Sequence, residues 1–159
     1  MIRILFLDFD GVLNHPLTWG NRDDTVIDID KVKRLNDLLT KTGAKIVVSS
    51  SWRFGHSINE MQNLLERRGL DPIHQILGIT PTEIENRRDA INLWLERMNS
   101  CIDNVHFVIL DDLGLKSFEG LGKHLIQVSG SIGLTDQDCI QACRCFKRQS
   151  NEYKELVKS

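Results

Sequence analysis

No stretch of this sequence stays apolar for the roughly 20 residues that a membrane-spanning helix needs. The first apolar run starts at Ile2, with Arg3 inside it, which leaves no room for a secretory leader, so a cytoplasmic protein is expected. An excess of charge of one sign is missing too. With a formal net charge of −2, the chain exerts no global pull on nucleic acid or anionic lipid, and any polyanion would have to be held by a local patch. Arg67-Arg68, Arg87-Arg88 and Lys147-Arg148 are the candidate patches, the first and last of which read as solvated helix faces. Cysteines stand only at 101, 139, 143 and 145, a distribution that fits reduced thiols and not a disulfide framework. Cys139 and Cys143 share one helix face while Cys145 is expected to point elsewhere, which argues against a zinc site. Repeats, low-complexity segments and linkers are absent as well, so residues 1–159 read as one domain, long enough to bury a real core.

What is present alternates between two periods. Short apolar runs at Ile2 to Leu7, Lys45 to Val48, Ile73 to Ile79, Phe107 to Leu110 and His124 to Val128 read as strands buried on both faces. Between them lie helical patterns. Val32, Leu35, Leu38 and Leu39 repeat at helical spacing within 31–42, before Gly43. Ser57 and Glu60 form a capping box ahead of Ile58, Met61, Leu64 and Leu65, and Asn86 or a neighbour caps a helix burying Ile91, Trp94, Leu95 and Met98. Thr135 and Asp138 open a last helix, with Cys139, Ala142, Cys143 and Phe146 inward and a polar tail expected beyond about Gln149. Strand alternating with helix predicts a parallel sheet covered on both faces.

The chemistry-bearing residues gather at the strand ends. Asp8-Phe9-Asp10-Gly11 follows the first apolar run directly, and carboxylates spaced i and i+2 leave a strand on the same side. Ligands bind at the carboxyl ends of parallel strands, and like charges held close there favour a divalent cation or a shared proton. The second strand ends in Ser49-Ser50-Ser51-Trp52-Arg53, whose hydroxyls and N–H groups suit an anion. Arg87 and Arg88 begin a helix, and the fourth strand ends in Asp111-Asp112.

This order of motifs resembles the haloacid dehalogenase (HAD) superfamily of aspartate-nucleophile phosphatases, over Ile4 to about Cys143. Within it, Val47 to Arg53, Arg87-Arg88-Asp89-Ala90-Ile91 with Trp94-Leu95, and Ile126 to Thr135 look like the compact HAD domains associated with RNA-repair proteins. The resemblance implies a Rossmann-like α/β fold with five parallel strands in the order 5-4-1-2-3. It also implies no large cap, because Asn14 to Asp30 leaves space only for a flap.

By the same resemblance, Asp8 is the nucleophile that forms an aspartyl-phosphate, and Asp10 is the acid and base that serves the leaving oxygen and the incoming water. Mg²⁺ is the implied cofactor, held by Asp8, the backbone carbonyl of Asp10 and one of Asp111 and Asp112; adjacent strand residues face opposite ways, so one of the pair binds and the other supports, with Asp112 taken as the ligand. Ser49 is expected on the phosphoryl oxygens, with Ser50 and Ser51 interchangeable beside it. Arg87 takes the family's basic position, with Arg88 as the alternative. Arg53 reads equally as a substrate contact at the mouth and as a structural ion pair, whereas Asn14, His15, Trp19 and His56 read as ordinary loop residues and Trp52 as core before a ring stacked on a base. The expected activity is a Mg²⁺-dependent phosphomonoesterase acting on a nucleic-acid end or nucleotide phosphate. The alternatives are a phosphoprotein or metabolite phosphatase and a catalytically silent phosphate- or protein-binding module. The sequence leaves the oligomeric state open.

Overall fold

The computed structural model describes residues 1–20, 23–102 and 104–159; the tip of the expected flap, residues 21 and 22, lies outside them. Five strands, β1 (Ile2–Leu7), β2 (Lys45–Val48), β3 (Ile76–Ile79), β4 (Val105–Asp111) and β5 (Leu125–Gln127), form one sheet in the order β3-β2-β1-β4-β5. Every pairing is parallel. Read from the other edge this is the expected order, with β1 in the centre between β2 and β4. Among the described residues four helices, α1 (Ile29–Thr42), α2 (Ile58–Arg67), α3 (Arg87–Asn99) and α4 (Asp136–Lys158), complete the α/β fold.

The period of two in β1 divides the core. Leu5 and Leu7 face the helical layer of α1, α2 and α4, together with Ile46, Val48, Val108 and Leu110. Ile4 and Phe6 face the opposite layer with Val47, Phe107 and Ile109, where α3 supplies Ile91 and Trp94. Phe6 sits edge-on to Trp94 at 5.4 Å and to Phe107 at 5.8 Å, so aromatic packing makes up for the thinner cover on this side. Both capping boxes form as expected, at Ser57 with Glu60 and at Thr135 with Asp138.

The edges and the last helix differ from expectation. β3 is shorter than Ile73 to Ile79, because residues 71–75 turn back, with Ile73 N–H donating to the Asp71 side chain. β5 likewise loses His124, which ends a short helical turn at Gly122–His124. Helix α4 does not give way at Gln149 but continues to Lys158. Cys145 points away from the Cys139 and Cys143 face, as expected, and is buried with Ala142, Phe146 and Gln149, while Cys139 and Cys143 are half-buried. Among the described residues no helix is long and apolar enough to cross a membrane.

Candidate active site

Strand β1 ends at Leu7, and Asp8 follows while still tied to the sheet, its N–H donating to Leu110 O at 3.0 Å. Its carboxylate is almost fully enclosed, with Oδ1 accepting the N–H of Phe9 at 2.9 Å. Asp111 closes β4 beside it and is fully buried. Single oxygens of Asp8, Asp111 and Asp112 lie within 4.8 Å of one another. Burial raises the Asp8 carboxyl to about pKa 8, with the neighbouring Asp111 charge adding to the effect, Arg87 opposing it and Asp112 reinforcing it. Burial also raises Asp111, against the pull of Arg87.

The two acidic neighbours on β4 are used differently. Both oxygens of Asp111 are engaged, Oδ1 by Leu113 N–H at 2.9 Å and Oδ2 by Arg87 Nη1 at 2.8 Å. Asp112 is half-exposed and close-packed against backbone. A side-chain carbon on Gly11 would come within 2.5 Å of Asp112 Oδ2, and one on Gly130 within 2.9 Å. Gly11 also has φ +80°, so the turn after Asp10 needs glycine twice over, once for conformation and once for room.

Arg87 is the first residue of α3, whose N-cap Asn86 accepts the N–H of Asp89. Its Nη1 lies 2.9 Å from Asp8 Oδ2 as well as 2.8 Å from Asp111 Oδ2, but it is aligned as a hydrogen bond only on Asp111. Asp8 Oδ2 is therefore ion-paired and yet, among the described residues, lacks a hydrogen-bond donor. Burial alone would lower the Arg87 guanidinium, and the two carboxylates outweigh it and hold the group above its ordinary value. Arg88 is turned away, to Asp89 at 2.9 Å and Glu119 at 3.8 Å. Distance thus puts Arg87, not Arg88, on the acidic cluster.

Ser49 follows β2 and is completely buried, and among the described residues its Oγ has no hydrogen-bond partner. An orphaned buried hydroxyl costs on the order of 1–3 kcal/mol, a cost that an incoming acceptor removes. Ser50 is committed to structure, its Oγ accepting Trp52 N–H at 3.2 Å as the cap of the turn Ser51–Phe54. Arg53 is placed otherwise than at the mouth. It is only 4 % exposed, and its guanidinium donates to the carbonyls of Ser49, Ser50 and Ile84 at 3.0, 3.1 and 2.9 Å. It clamps the serine turn and has little surface to offer a substrate.

Asp10 is exposed, and two neutral donors hold it. Asn14 Nδ2 donates to Oδ1 at 2.9 Å and Trp52 Nε1 to Oδ2 at 3.1 Å. Asn14 is itself fixed, because its Oδ1 accepts both Gly11 N–H and Trp19 Nε1–H at 2.8 Å. Asn14, Trp19 and Trp52 are thus parts of the site that sequence reasoning took for loop or core. Trp52 does pack inward on Phe9 at 5.2 Å, with His56 stacked on it at 4.6 Å, and only its indole N–H serves the carboxylate.

A family model described as the HAD domain in Swiss Army Knife RNA repair proteins matches residues 4–139. The chain belongs to this family. The match runs from β1 into the first turn of α4, so every element that carries the acidic cluster, Ser49, Arg87 and the Asp10 network lies within the HAD domain. No curated protein and no solved structure matches the chain.

Proposed function

We propose that this HAD domain is a Mg²⁺-dependent phosphomonoesterase that works through an aspartyl-phosphate, on a nucleic-acid end or nucleotide phosphate. The observation that carries the reading is the division of labour among the acids: Asp8, Asp111 and Asp112 are packed together under Arg87, whereas Asp10 stands apart in solvent on two neutral donors. Three carboxylates within reach of one point, one of them with an orphaned oxygen, suit a hard cation with oxygen ligands. Asp8, Asp112 and the Asp10 carbonyl would hold it, with Asp111 braced between Arg87 and Leu113. The ion supplies positive charge that offsets the carboxylates and the phosphoryl oxygens.

In the first step an Asp8 carboxylate oxygen forms a bond to phosphorus while the bond to the ester oxygen breaks, and Asp10 passes its proton to that oxygen. In the second, Asp10 takes a proton from water as the water oxygen bonds to phosphorus, and the bond to Asp8 breaks to release phosphate. Arg87 and the Ser49 hydroxyl stabilise charge on the phosphoryl oxygens that do not react. The family description, which concerns RNA repair, favours a nucleic-acid end over other phosphomonoesters.

The direct test is hydrolysis of p-nitrophenyl phosphate. Turnover is expected with Mg²⁺, lost in EDTA and regained on adding Mg²⁺; full activity in rigorously metal-free protein would overturn the reading. Asp112→Asn is expected to raise the Mg²⁺ concentration for half-maximal rate about tenfold or more, and further than Asp111→Asn does. A Mg²⁺ titration giving the opposite order would exchange the two assignments.

A further inference from the structure

The wall beside Asp10 is a poor seat for the body of a polyanion. The groove there, about 550 Å³, is lined by Asp23, Asp24 and Glu60 as well as Trp52 and His56, and its arginine, Arg67, is paired with Asp24. Arg53 is buried. Free cations lie elsewhere, along the seam where α1 and α4 pack together over the sheet.

A cavity of about 290 Å³ opens at the lower end of that seam, lined by Arg3, Lys41, Lys147 and Lys154 with Ser150 and Asn151 between them. No carboxylate among the described residues lines it. Among the described residues none of these four cations is in an ion pair, whereas at the upper end of the seam Arg34 is taken up by Asp30 and Asp136. Arg3 donates to Thr42 O at 2.8 Å and Ser150 Oγ at 3.1 Å, and its buried Nε has no partner among the described residues. Helix α4 extends the row, because Arg144, Lys147, Lys154 and Lys158 recur at spacings that fall on one side of a helix and are all exposed. They cover about 21 Å of the axis at a rise of ~1.5 Å per residue.

We propose that this seam is a second binding site, for the sugar–phosphate backbone of an RNA strand whose phosphorylated end lies at Asp8. The identity of the polymer rests on the function proposed above; the cationic row does not. Unpaired cations repeated along a line, with the hydroxyl and amide donors of Ser150 and Asn151 among them, match an anion that also repeats, and not a single phosphate, although Arg144 at the upper end also borders Asp37 and Asp136. An anionic bilayer would have to meet cations and apolar residues together. On α4 they are on opposite sides: Tyr153, Leu156 and Val157, the exposed apolar residues of its last turns, continue the face that buries Ala142, Phe146 and Gln149. Arg3 is five residues from Asp8 along β1, about 17 Å at ~3.3 Å per residue. A mononucleotide cannot reach both ends, so the seam separates oligonucleotides from mononucleotides.

The test is fluorescence anisotropy with a labelled, unstructured single-stranded RNA 12-mer, titrated with full-length protein at several salt concentrations. Lys147→Gln/Lys154→Gln is expected to weaken binding about tenfold near 100 mM salt. It should also flatten the slope of log affinity against log salt by about 1.4, the counterion release of two phosphate contacts on a single strand. Lys116→Gln, an exposed cation of the Leu115–Phe118 turn, should leave both unchanged. Equal affinity of wild type and the double variant would overturn the proposal, and so would binding to phosphatidylserine vesicles in preference to RNA. Hydrolysis of p-nitrophenyl phosphate, run on the same samples, keeps the two readings apart. A double variant that loses RNA but keeps this turnover supports the seam, and a wild type that binds RNA through the seam without any turnover would sink the phosphatase reading alone.

Discussion

Asp8→Asn is expected to abolish phosphomonoesterase turnover, by at least about ten-thousandfold, while the protein gains thermal stability in the absence of metal. The first half follows from nucleophilicity: the amide keeps the shape of the carboxylate and its acceptor for Phe9 N–H, but it cannot form the aspartyl-phosphate. The second half follows from linkage. Burial and Asp111 raise the folded-state pKa of Asp8 from 3.8 to about 8. Between these values the folded protein holds a proton that the unfolded chain has released, so wild-type stability falls as pH rises from about 4 to about 8 and then levels. Asparagine has no such proton. The Tm difference in favour of Asp8→Asn in EDTA should therefore be near zero at pH 4, grow toward pH 8 and stay constant above it. Mg²⁺ should close the gap by stabilising the wild type more than the variant, because a ligand that binds only the folded state stabilises it by mass action. A scanning-fluorimetry series from pH 4 to 9 with EDTA or Mg²⁺ measures this. A variant less stable than wild type throughout would mean that Asp8 is a structural ion-pair partner of Arg87 and not a carboxylate strained for function.

That strain explains why this end of the fold was legible in advance. Asp8 directly follows a run, Ile4 to Leu7, that is buried on both faces, and burying a carboxylate there has a structural cost that points to chemistry. Asp111 and Ser49 stand at the ends of the neighbouring strands for the same reason, so apolar periodicity and polar interruption together located the cluster. The contacts around Asp10 left no such trace. Asn14 and Trp19 act through a loop, and Trp52 reaches Asp10 across 42 residues of sequence, so no period marks them. Arg53 misled because arginine is usually exposed, and nothing local announces a guanidinium folded back onto carbonyls.

Other differences arose where tertiary packing stops deciding. Strands β3 and β5 are edges, paired on one side only, and they shorten to four and three residues. Helix α4 outruns its last buried residue, Gln149, because Glu, Lys and Leu in 150–158 sustain a helix by propensity after the core has ended. The inward position of Cys145 was readable, since Ala142, Cys145, Phe146 and Gln149 form a stripe at spacings of three and four. Of the residues expected inward, Ala142 and Phe146 belong to this stripe, whereas Cys139 and Cys143 lie on its flank, half-buried against the core on the side of α1.

Asp10→Asn is the second substitution expected to have a large effect, a loss of about 10²- to 10⁴-fold in kcat, the usual contribution of a positioned proton donor and acceptor. The size of the loss should depend on the substrate in a way that a structural role would not produce. An ester with a good leaving group, such as p-nitrophenol, needs little help from an acid when its bond to phosphorus breaks, whereas an alkyl or ribose oxygen needs the full proton. The deficit should therefore be smallest for p-nitrophenyl phosphate and largest for a ribose phosphate, and the dependence of rate on leaving-group pKa should steepen in the variant. Removing the donors that aim Asp10 should give a diminished version of the same signature. Asn14→Leu removes the hydrogen bond to Oδ1 at 2.9 Å, and Trp52→Phe removes that to Oδ2 at 3.1 Å while keeping an aromatic ring against Phe9. Each is expected to cost roughly tenfold, in keeping with the ~0.5–1.5 kcal/mol net contribution of a typical hydrogen bond. Because both act on one carboxylate, their double variant should lose less than the product of the single effects. Losses that are uniform across leaving groups, or fully multiplicative in the double variant, would take the acid–base role away from Asp10 and leave its two hydrogen bonds as supports of the flap.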